Sequence, residues 1–247
     1  MTMLRAALVL GLLSAVGPFA IDMYLPAMPL IATALDAEVS SVQFTLTAYF
    51  ISFGVAQLFY GLWSDQIGRK VPLYGGIGIF IVASIGCALA PTIGWLIAFR
   101  ILQGAGGAAL MVVPRAIIRD MHTGTQATKL LAMVILVISV SPMLAPLVGS
   151  VLIVIGDWRL IFWTLCLTAV LSLILTVTAL PETSLPSERV PVNLRNFVRG
   201  SNTLIRDPVF MGLTFIGGFG FASFMVFIAS AAFVYSGQFG LSPAGFS

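Results

Sequence analysis

The sequence predicts an all-α membrane protein, and its composition, its long uncharged runs and the charges of its loops all favour that class. Of the 247 residues, 59% are hydrophobic and only 9% are charged, and the mean hydropathy is +1.07. Soluble domains carry about a quarter charged residues. The composition therefore excludes a soluble globular enzyme. The net charge of +3 comes from basic residues in short loops, which argues against a nucleic-acid surface.

Seven runs approach or exceed the ~20 apolar residues that a helix needs to cross the hydrocarbon core. The first run follows Arg5 as a signal peptide would, but it is too long, contains Asp22 and lacks a small-residue cleavage site before polar sequence. We therefore keep it as a membrane span. The predicted spans cover residues 4–31, 41–63, 72–91, 94–116, 128–155, 158–180 and 208–236.

The basic residues of the loops predict the orientation of the chain. With the N-terminus in the cytoplasm, ten of the 12 Lys and Arg residues lie on the cytoplasmic side, whereas the outer loops hold Arg159 alone. Cytoplasmic loops of membrane proteins carry such an excess of positive charge. Seven-span receptors and photosensors usually have the opposite orientation, and the seventh span here contains no Lys to hold retinal.

The loop lengths predict how the spans are grouped. All outer connections are very short, so residues 1–180 are predicted to form one six-helix bundle. Residues 181–207 are predicted to form a cytoplasmic linker that begins with three interrupting prolines. Its second half alternates apolar residues with Arg195, Arg199 and Arg206, which suits either a helix lying in the lipid interface or a floppy linker.

The charged run between spans two and three is the most distinctive connection. Gly61 and Gly68 allow close approach of the backbone, and the charges of Asp65, Arg69 and Lys70 meet at one membrane face. Asp65 could cap a neighbouring helix while the two cations meet acidic groups or lipid phosphate. A solvated turn explains these charges equally well.

Two charges lie inside predicted spans, and both are expected in the outer half of the membrane at similar depths. Asp22 stands beside Pro26 and Pro29, which break the helix. A buried carboxyl group is a candidate proton carrier, although it could instead satisfy backbone groups that the prolines free. Arg100 could pair with Asp22, tune it or hold substrate, or it could be a structural residue bonded to backbone carbonyls.

Other sites of chemistry are not predicted. The chain has neither a phosphate-binding Gly-Lys-Ser/Thr run nor a nucleophile elbow, so we expect no enzyme and no cofactor. The lone His122 has no metal-ligand cluster around it, and Cys87 and Cys166 lie in apolar spans as free thiols. Pro142 and Pro146 are expected to kink span five, with Gly149 on a flat packing face.

Four runs together resemble the major facilitator superfamily, and more narrowly its drug:proton antiporters of the Bcr/CflA type, named for bicyclomycin resistance. The matching positions are the run from Gly61 to Lys70, Arg100 with Gln103, Gly104 and Gly106 in span four, the run from Ala145 to Ser150 in span five, and Asp22, Tyr24, Leu25, Pro26 and Pro29 in span one. Gln66, Ala145 and Ser150 depart from the residues usual in these motifs.

The resemblance implies a major-facilitator-like N-terminal six-helix bundle plus one further helix, with residues 208–247 starting an incomplete C-terminal half. It implies proton-coupled efflux of hydrophobic drugs across a bacterial inner membrane. Asp22 and Arg100 would couple protons, Tyr24, Tyr49 and Gln103 would line the substrate cavity, and the charged run would gate the cytoplasmic side. There are two alternatives. The protein could transport a specific metabolite, or it could be an inactive half-transporter that needs its missing half or a partner chain.

Overall fold

A computed structural model describes residues 2–184 and 194–239, and within those ranges all regular structure is helical. Seven helical segments are long and apolar enough to cross a membrane, which confirms the predicted all-α membrane class. In chain order the helices are α1 (Met3–Asp22), a 3-10 turn (Leu25–Ala27), α2 (Met28–Ala34), α3 (Val39–Ile67), α4 (Lys70–Ala88), α5 (Ile93–Met121), α6 (Gly124–Ile138), α7 (Ser141–Ile155), α8 (Arg159–Ala179), α9 (Leu194–Arg206) and α10 (Pro208–Phe239).

Helix α5 is the centre of the bundle and packs mainly against α3 and α4, with α1 as a further neighbour. Small residues allow this packing. A Cβ atom on Gly106 would lie 2.6 Å from both the Gly76 carbonyl oxygen and the Phe80 nitrogen, and one on Gly104 would strike the Tyr49 carbonyl. The backbones of α5, α4 and α3 therefore touch, as small residues permit in membrane bundles.

Spans one and five are each divided into two helices. In span one the Tyr24 amide donates to the Ile21 carbonyl at 3.2 Å, so the Ala20 carbonyl loses the amide that a continuous helix would provide. Pro26 and Pro29, which have no N–H to donate, follow directly. Span five is interrupted after Ile138, and α7 begins with a proline in its first turn. Both interruptions agree with the kinks expected from the prolines.

The connection between spans two and three is shorter than the sequence suggested. Helix α3 continues to Ile67, so Gly61 and Asp65 lie on the helix and Lys70 already begins α4. Only Gly68 and Arg69 join the two helices. Gly68 has a φ of 100°, a conformation that residues with a Cβ atom rarely adopt. An ion pair between Asp65 and Arg69, four residues apart, stabilises the final turn of α3.

The second part of the predicted linker contains α9, while residues 185–193 lie outside the described residues. Helix α10 follows after Asp207, whose carboxylate accepts hydrogen bonds from the Val209 and Phe210 amides. Most of α10 is exposed, and its ring contact with the bundle joins Phe221 to Phe50 at 6.2 Å between centroids. Its apolar surface is suited to lipid or to a further protein surface.

We expect Gly76→Ala to destabilise the bundle, because the added methyl group would strike Ala109 and lie 2.9 Å from the Gly106 carbonyl oxygen. Overpacking of this kind costs about 1–3 kcal/mol. Gly78→Ala, on the same helix, is the matched control because it has open space within 4 Å. Thermal unfolding in detergent should show a lower Tm for Gly76→Ala only, and equal Tm values would contradict the close contact.

Candidate functional site

Asp22 is the last residue of α1 and lies at the break in span one, where it is 9% exposed. Ser141, the first residue of α7, brings its buried hydroxyl close to the Asp22 carboxyl group, although no described residue lies within hydrogen-bond distance of that hydroxyl. The carboxyl group is thus held between the two broken spans. No ion pair joins Asp22 to a cation within the described part of the chain.

Arg100 of α5 is fully buried and reaches the same break in span one. Its Nη1 donates to the Ala20 carbonyl at 3.1 Å and to Gln103 Oε1 at 2.7 Å. The first bond replaces the amide that the break withdraws from Ala20. Arg100 is therefore bonded to a backbone carbonyl, which is the structural alternative considered from sequence, and it makes no direct pair with Asp22 in the described residues.

Two tyrosine rings enclose the guanidinium group of Arg100. Its carbon lies 4.6 Å from the centre of the Tyr24 ring and 4.4 Å from that of Tyr49. A cation over an aromatic face gains about 2 kcal/mol when both are desolvated. The Tyr24 hydroxyl forms a 2.6 Å hydrogen bond with Thr45, and the Tyr49 hydroxyl donates to the Gly17 carbonyl at 3.3 Å. Spans one and two are thereby joined around the buried cation.

Gln103 extends this network to span three. Its amide nitrogen donates to Ser84 Oγ at 2.8 Å, and the Ser84 hydroxyl donates to the Phe80 carbonyl at 2.7 Å. Arg100 Nε and Nη2 are also buried, and neither has a hydrogen-bond partner among the described residues. Two buried donors beside the break are therefore left unsatisfied by the described residues.

The predicted cavity residues Tyr24, Tyr49 and Gln103 are all fully buried. They do not line open space in this structure, because the two rings pack on Arg100 and the amide links it to Ser84. Their assignment to a substrate cavity stays a prediction, and packing around Arg100 is the arrangement that the structure describes. The sequence could not show it, because ring faces can serve a buried cation as well as an apolar substrate.

The span-five motif lies against the same break. A Cβ atom on Gly149 would collide with the Met23 carbonyl oxygen, so α7 touches the backbone just after Asp22. Pro142 is exposed and Pro146 is half-buried on α7. Gly149 and Ser141 thus belong to the Asp22 environment, whereas the exposed ring of Pro142 faces away from the core.

A second charged cluster lies at the end of the bundle where α3 and α4 meet, which we call the basic end. Arg69 donates to both oxygens of Asp120, from Nε at 2.7 Å and from Nη2 at 3.0 Å. Its Nη1 donates to Ser64 Oγ at 3.0 Å and to Asp65 Oδ1 at 2.5 Å. One guanidinium group therefore joins the ends of α3 and α5 through paired, directional bonds.

Glu182 caps the start of α4 at the basic end. Its two carboxylate oxygens accept from the Arg69 amide at 2.9 Å and the Lys70 amide at 3.1 Å. Thr183 donates to Asp120 at 3.0 Å, so the segment after α8 joins the cluster. The capping role considered for Asp65 therefore belongs to Glu182. The Lys70 ammonium lies 5.8 Å from the centre of the Tyr74 ring.

The hydrogen bonds of the cluster determine its proton affinities. Partial burial favours the neutral form of Glu182, but hydrogen bonds from backbone amides, first those of Arg69 and Lys70, outweigh it and hold the pKa of that carboxyl below its ordinary value. Burial likewise opposes the charge of Arg69, but Asp120 and Asp65 raise the pKa of its guanidinium overall. Both groups are therefore charged at neutral pH, as the bonds require.

Sequence reasoning missed the acidic partners and most of the hydroxyl partners. Asp120 and Glu182 lie near Arg119 and Pro181 at ends of spans that the sequence also places on the basic side, so their shared location was an available signal. Thr45, Ser84 and Ser141 are isolated hydroxyls in apolar helices, and no local pattern distinguishes them from hydroxyls that bond only their own helix.

We expect Arg100→Lys to lower the free energy of unfolding by about 2–4 kcal/mol, because an ammonium group cannot make both hydrogen bonds while stacking between two rings. Tyr49→Phe is the matched control, since it keeps the ring beneath Arg100 and removes only the 3.3 Å hydrogen bond to Gly17. Thermal unfolding in detergent measures both. A larger loss in Tyr49→Phe than in Arg100→Lys would contradict this account of the centre.

For Glu182→Gln we expect about two- to fivefold faster hydrogen exchange at the Arg69 and Lys70 amides at neutral pH, because a neutral amide accepts more weakly than a carboxylate. A lowered pKa means that the native protein gains stability from ionised Glu182 above the ordinary value of 4.5 and loses it as pH falls through the folded value. The difference between the two proteins should therefore disappear in acid. Glu38→Gln, at the opposite end, should leave the exchange of these amides unchanged.

Comparison with known proteins agrees with this architecture. The family model described as Major Facilitator Superfamily matches residues 10–247. An uncharacterized MFS-type transporter, YdgK of Bacillus subtilis, is 37% identical over 99% of this chain and 61% of its own length. A bicyclomycin resistance protein homolog of Haemophilus influenzae is 31% identical over 95% of this chain and 59% of its own length.

A solved structure of a D-xylose-proton symporter superposes with a TM-score of 0.75 over 99% of this chain and 64% of its own, at 19% identity, which shows the fold alone. The chain spans about three fifths of the length of the relatives just described, which are covered to 61% and 59%. The family model, the two relatives and the helical architecture agree with one another. The chain belongs to the major facilitator superfamily, a family of multi-pass membrane transporters.

Proposed function

We propose that the protein acts in proton-coupled efflux of hydrophobic drugs or antibiotics across a bacterial cytoplasmic membrane, by alternating access. The basic end would face the cytoplasm together with the N-terminus, since ten of the 12 basic residues belong to segments on that side. Protons, a small hydrophobic substrate and the lipid bilayer are then the partners. Export would follow from exchanging a proton moving inward for a drug moving outward.

The observation that carries this proposal is the position of Asp22. Its carboxyl group is almost fully buried at a helix break within the bundle, without a cation paired to it in the described residues. An isolated carboxylate in such a place costs several kcal/mol, and binding a proton removes that cost. A carboxyl group that is protonated while it is buried and ionised when it is exposed to water can carry a proton between these two states of the transporter.

Arg100 would tune this cycle from across the break. It donates to the Ala20 carbonyl, on the same short segment that ends at Asp22. Any movement that shifts the break changes both the bond to Ala20 and the exposure of Asp22. The two unused donors of Arg100 can also hold a water molecule or a substrate acceptor while the proton moves.

The cluster at the basic end would latch the cytoplasmic side. Residues Gly61, Asp65, Gly68, Arg69 and Lys70, which the sequence assigned to a gate, lie in or beside this cluster. Their bonds to Asp120 and Glu182 hold the ends of spans two, three, four and six together. In this proposal a closed latch corresponds to a closed cytoplasmic side.

The substrate class rests on one relative. The similar protein of Haemophilus influenzae is named for bicyclomycin resistance, and that name favours drug export for this chain. Transport of a specific metabolite is the second candidate, because the solved D-xylose-proton symporter has the same fold. Drug-resistance profiles and sugar or amino-acid uptake, measured in the same cells, separate these two functions.

Whether these spans transport unaided is a separate part of the proposal. Helix α10 exposes large apolar side chains along most of its described length, such as Leu213, Ile216 and Phe219. Such a surface can be covered by a further set of spans or by a partner chain, as the half-transporter hypothesis requires. Reconstitution of the 247-residue chain in vesicles, alone and with a second half supplied in trans, tests this requirement.

Asp22→Asn should abolish drug export driven by a pH gradient, because an amide cannot bind or release the proton. The measurement is drug-dependent proton movement across inverted membrane vesicles that contain the protein in a transporting form. Asp36→Asn is the matched control, since Asp36 is an exposed carboxylate in the connection between α2 and α3. It should retain transport.

Two results would contradict the assignment of Asp22. One is full pH-driven exchange by Asp22→Asn, which would remove this residue from coupling. The other is equal loss of exchange in Asp36→Asn, which would show that removing any carboxylate on this chain has the same effect. Comparable amounts of folded protein, checked by size-exclusion chromatography in detergent, are required for both variants.

A further inference from the structure

Helix α9 has an apolar face that the described protein leaves uncovered. Successive residues of a helix turn by about 100°, so Phe197, Val198, Ser201, Leu204 and Ile205 fall on one side of α9. Val198 is 58% exposed, Leu204 47% and Ile205 62%. Three large apolar side chains on one face of a short helix are thus open to the surroundings.

The charges of α9 form a stripe along one flank of that face. Arg195, Arg199 and Arg206 are all exposed and lie within about 40° of one another around the helix axis. The helix contains no Asp or Glu, and no ion pair engages these arginines within the described residues. The flank is therefore a row of cations that no described acidic residue pairs, and it lies beside an apolar strip.

The position of α9 along the chain keeps it near the membrane surface. Arg206 ends α9, Asp207 caps the next helix, and Pro208 begins the seventh span. A single residue thus separates the amphipathic helix from a segment that crosses the hydrocarbon core. Because the connection is so short, α9 can only leave span seven at the level where lipid headgroups meet water.

We propose that α9 lies in the lipid interface beside span seven and binds anionic phospholipid headgroups. Its apolar face would enter the boundary between headgroups and acyl chains, and its three arginines would contact lipid phosphates. This arrangement covers the exposed apolar side chains and pairs the free cations in one step. It does not depend on the substrate or on proton coupling.

A protein surface is the competing occupant of the same face. The charges favour lipid, because anionic headgroups supply many phosphates around the helix, whereas a protein partner would need three acids at matched positions. Arginine beside an anionic membrane changes partitioning by about fivefold per residue. Three of them therefore make the helix sensitive to the charge of the lipid, which an apolar protein contact would not be.

Spin labels on single cysteines test the proposal in the full chain, with Cys87 and Cys166 replaced by Ala. Labels at Val198→Cys and Ile205→Cys report the apolar face, and Thr203→Cys reports the opposite face. Collisions with oxygen, which concentrates in lipid, are compared with collisions with a water-soluble nickel chelate. The vesicles contain phosphatidylcholine with phosphatidylglycerol, or phosphatidylcholine alone.

In vesicles with phosphatidylglycerol we expect the labels at 198 and 205 to collide mainly with oxygen and the label at 203 mainly with the nickel chelate. Phosphatidylcholine alone, or a combined change of Arg195, Arg199 and Arg206 to Gln, should reduce the oxygen preference severalfold. Replacing Arg115, Arg119 and Lys129, which are basic residues outside α9, by Gln is the matched control and should preserve it, provided that the orientation of the chain is unchanged.

Three outcomes would overturn the proposal. Equal access of the nickel chelate to all three labels would show a solvated linker. Low access of both reagents to the labels at 198 and 205 would show that a protein surface covers the face. An oxygen preference that is the same in both kinds of vesicle, and in the Arg-to-Gln protein, would show an apolar contact without recognition of anionic headgroups.

Discussion

A buried arginine that completes a broken helix is the interaction around which the bundle is built. Span one loses a backbone hydrogen bond where it breaks, and Arg100 supplies the missing donor to the Ala20 carbonyl. This hydrogen bond satisfies both groups, because the buried charge of Arg100 requires an acceptor in a low-dielectric region and the Ala20 carbonyl requires a donor. Tyr24, Tyr49 and Gln103 complete the enclosure. Spans one, two, three and four are thereby fixed around one group.

Helix α5 links this centre to the cluster at the basic end. It carries Arg100 in its first third and Asp120 at its far end, and the stretch of helix between them extends about 30 Å. At Gly104 and Gly106 the backbone of α5 touches the backbones of α3 and α4, so few side chains interlock between these helices. The two charged sites are therefore joined by a single packed element.

The sequence was sufficient for the class, the number of spans and the breaks, because hydrophobic runs and prolines act locally. It was less informative about the ends of helices, since polar residues such as Ser64 and Asp65 lie within α3, where Arg69 bonds both of them. Hydrogen bonds between residues far apart in the chain could not be predicted from the sequence. Glu182 meets the amides of Arg69 and Lys70 across more than 110 residues, with separations of 113 and 112 positions.

The same limit explains the aromatic residues of the centre. Their presence in apolar spans indicated contacts with something large and polarizable, but nothing in the local sequence distinguishes a drug from a guanidinium group. Only the packing of spans one, two and four brings Arg100 between Tyr24 and Tyr49. Residues that serve a distant charge are therefore the ones for which inspection of a single span is least informative.

The hydrogen bonds of Arg69 and Glu182 at the basic end constrain how the helices can move there. It ties α3, the start of α4, the end of α5 and the segment leaving α8, so a torque on any one of these helices at that end is resisted by all four. Spans one and five have no bond to Arg69 or Glu182 in the described residues, and they are also the two spans that are divided. The hydrogen bonds of the basic end and the helix breaks thus belong to different helices of one bundle, and Asp22 and Ser141 lie at the two breaks.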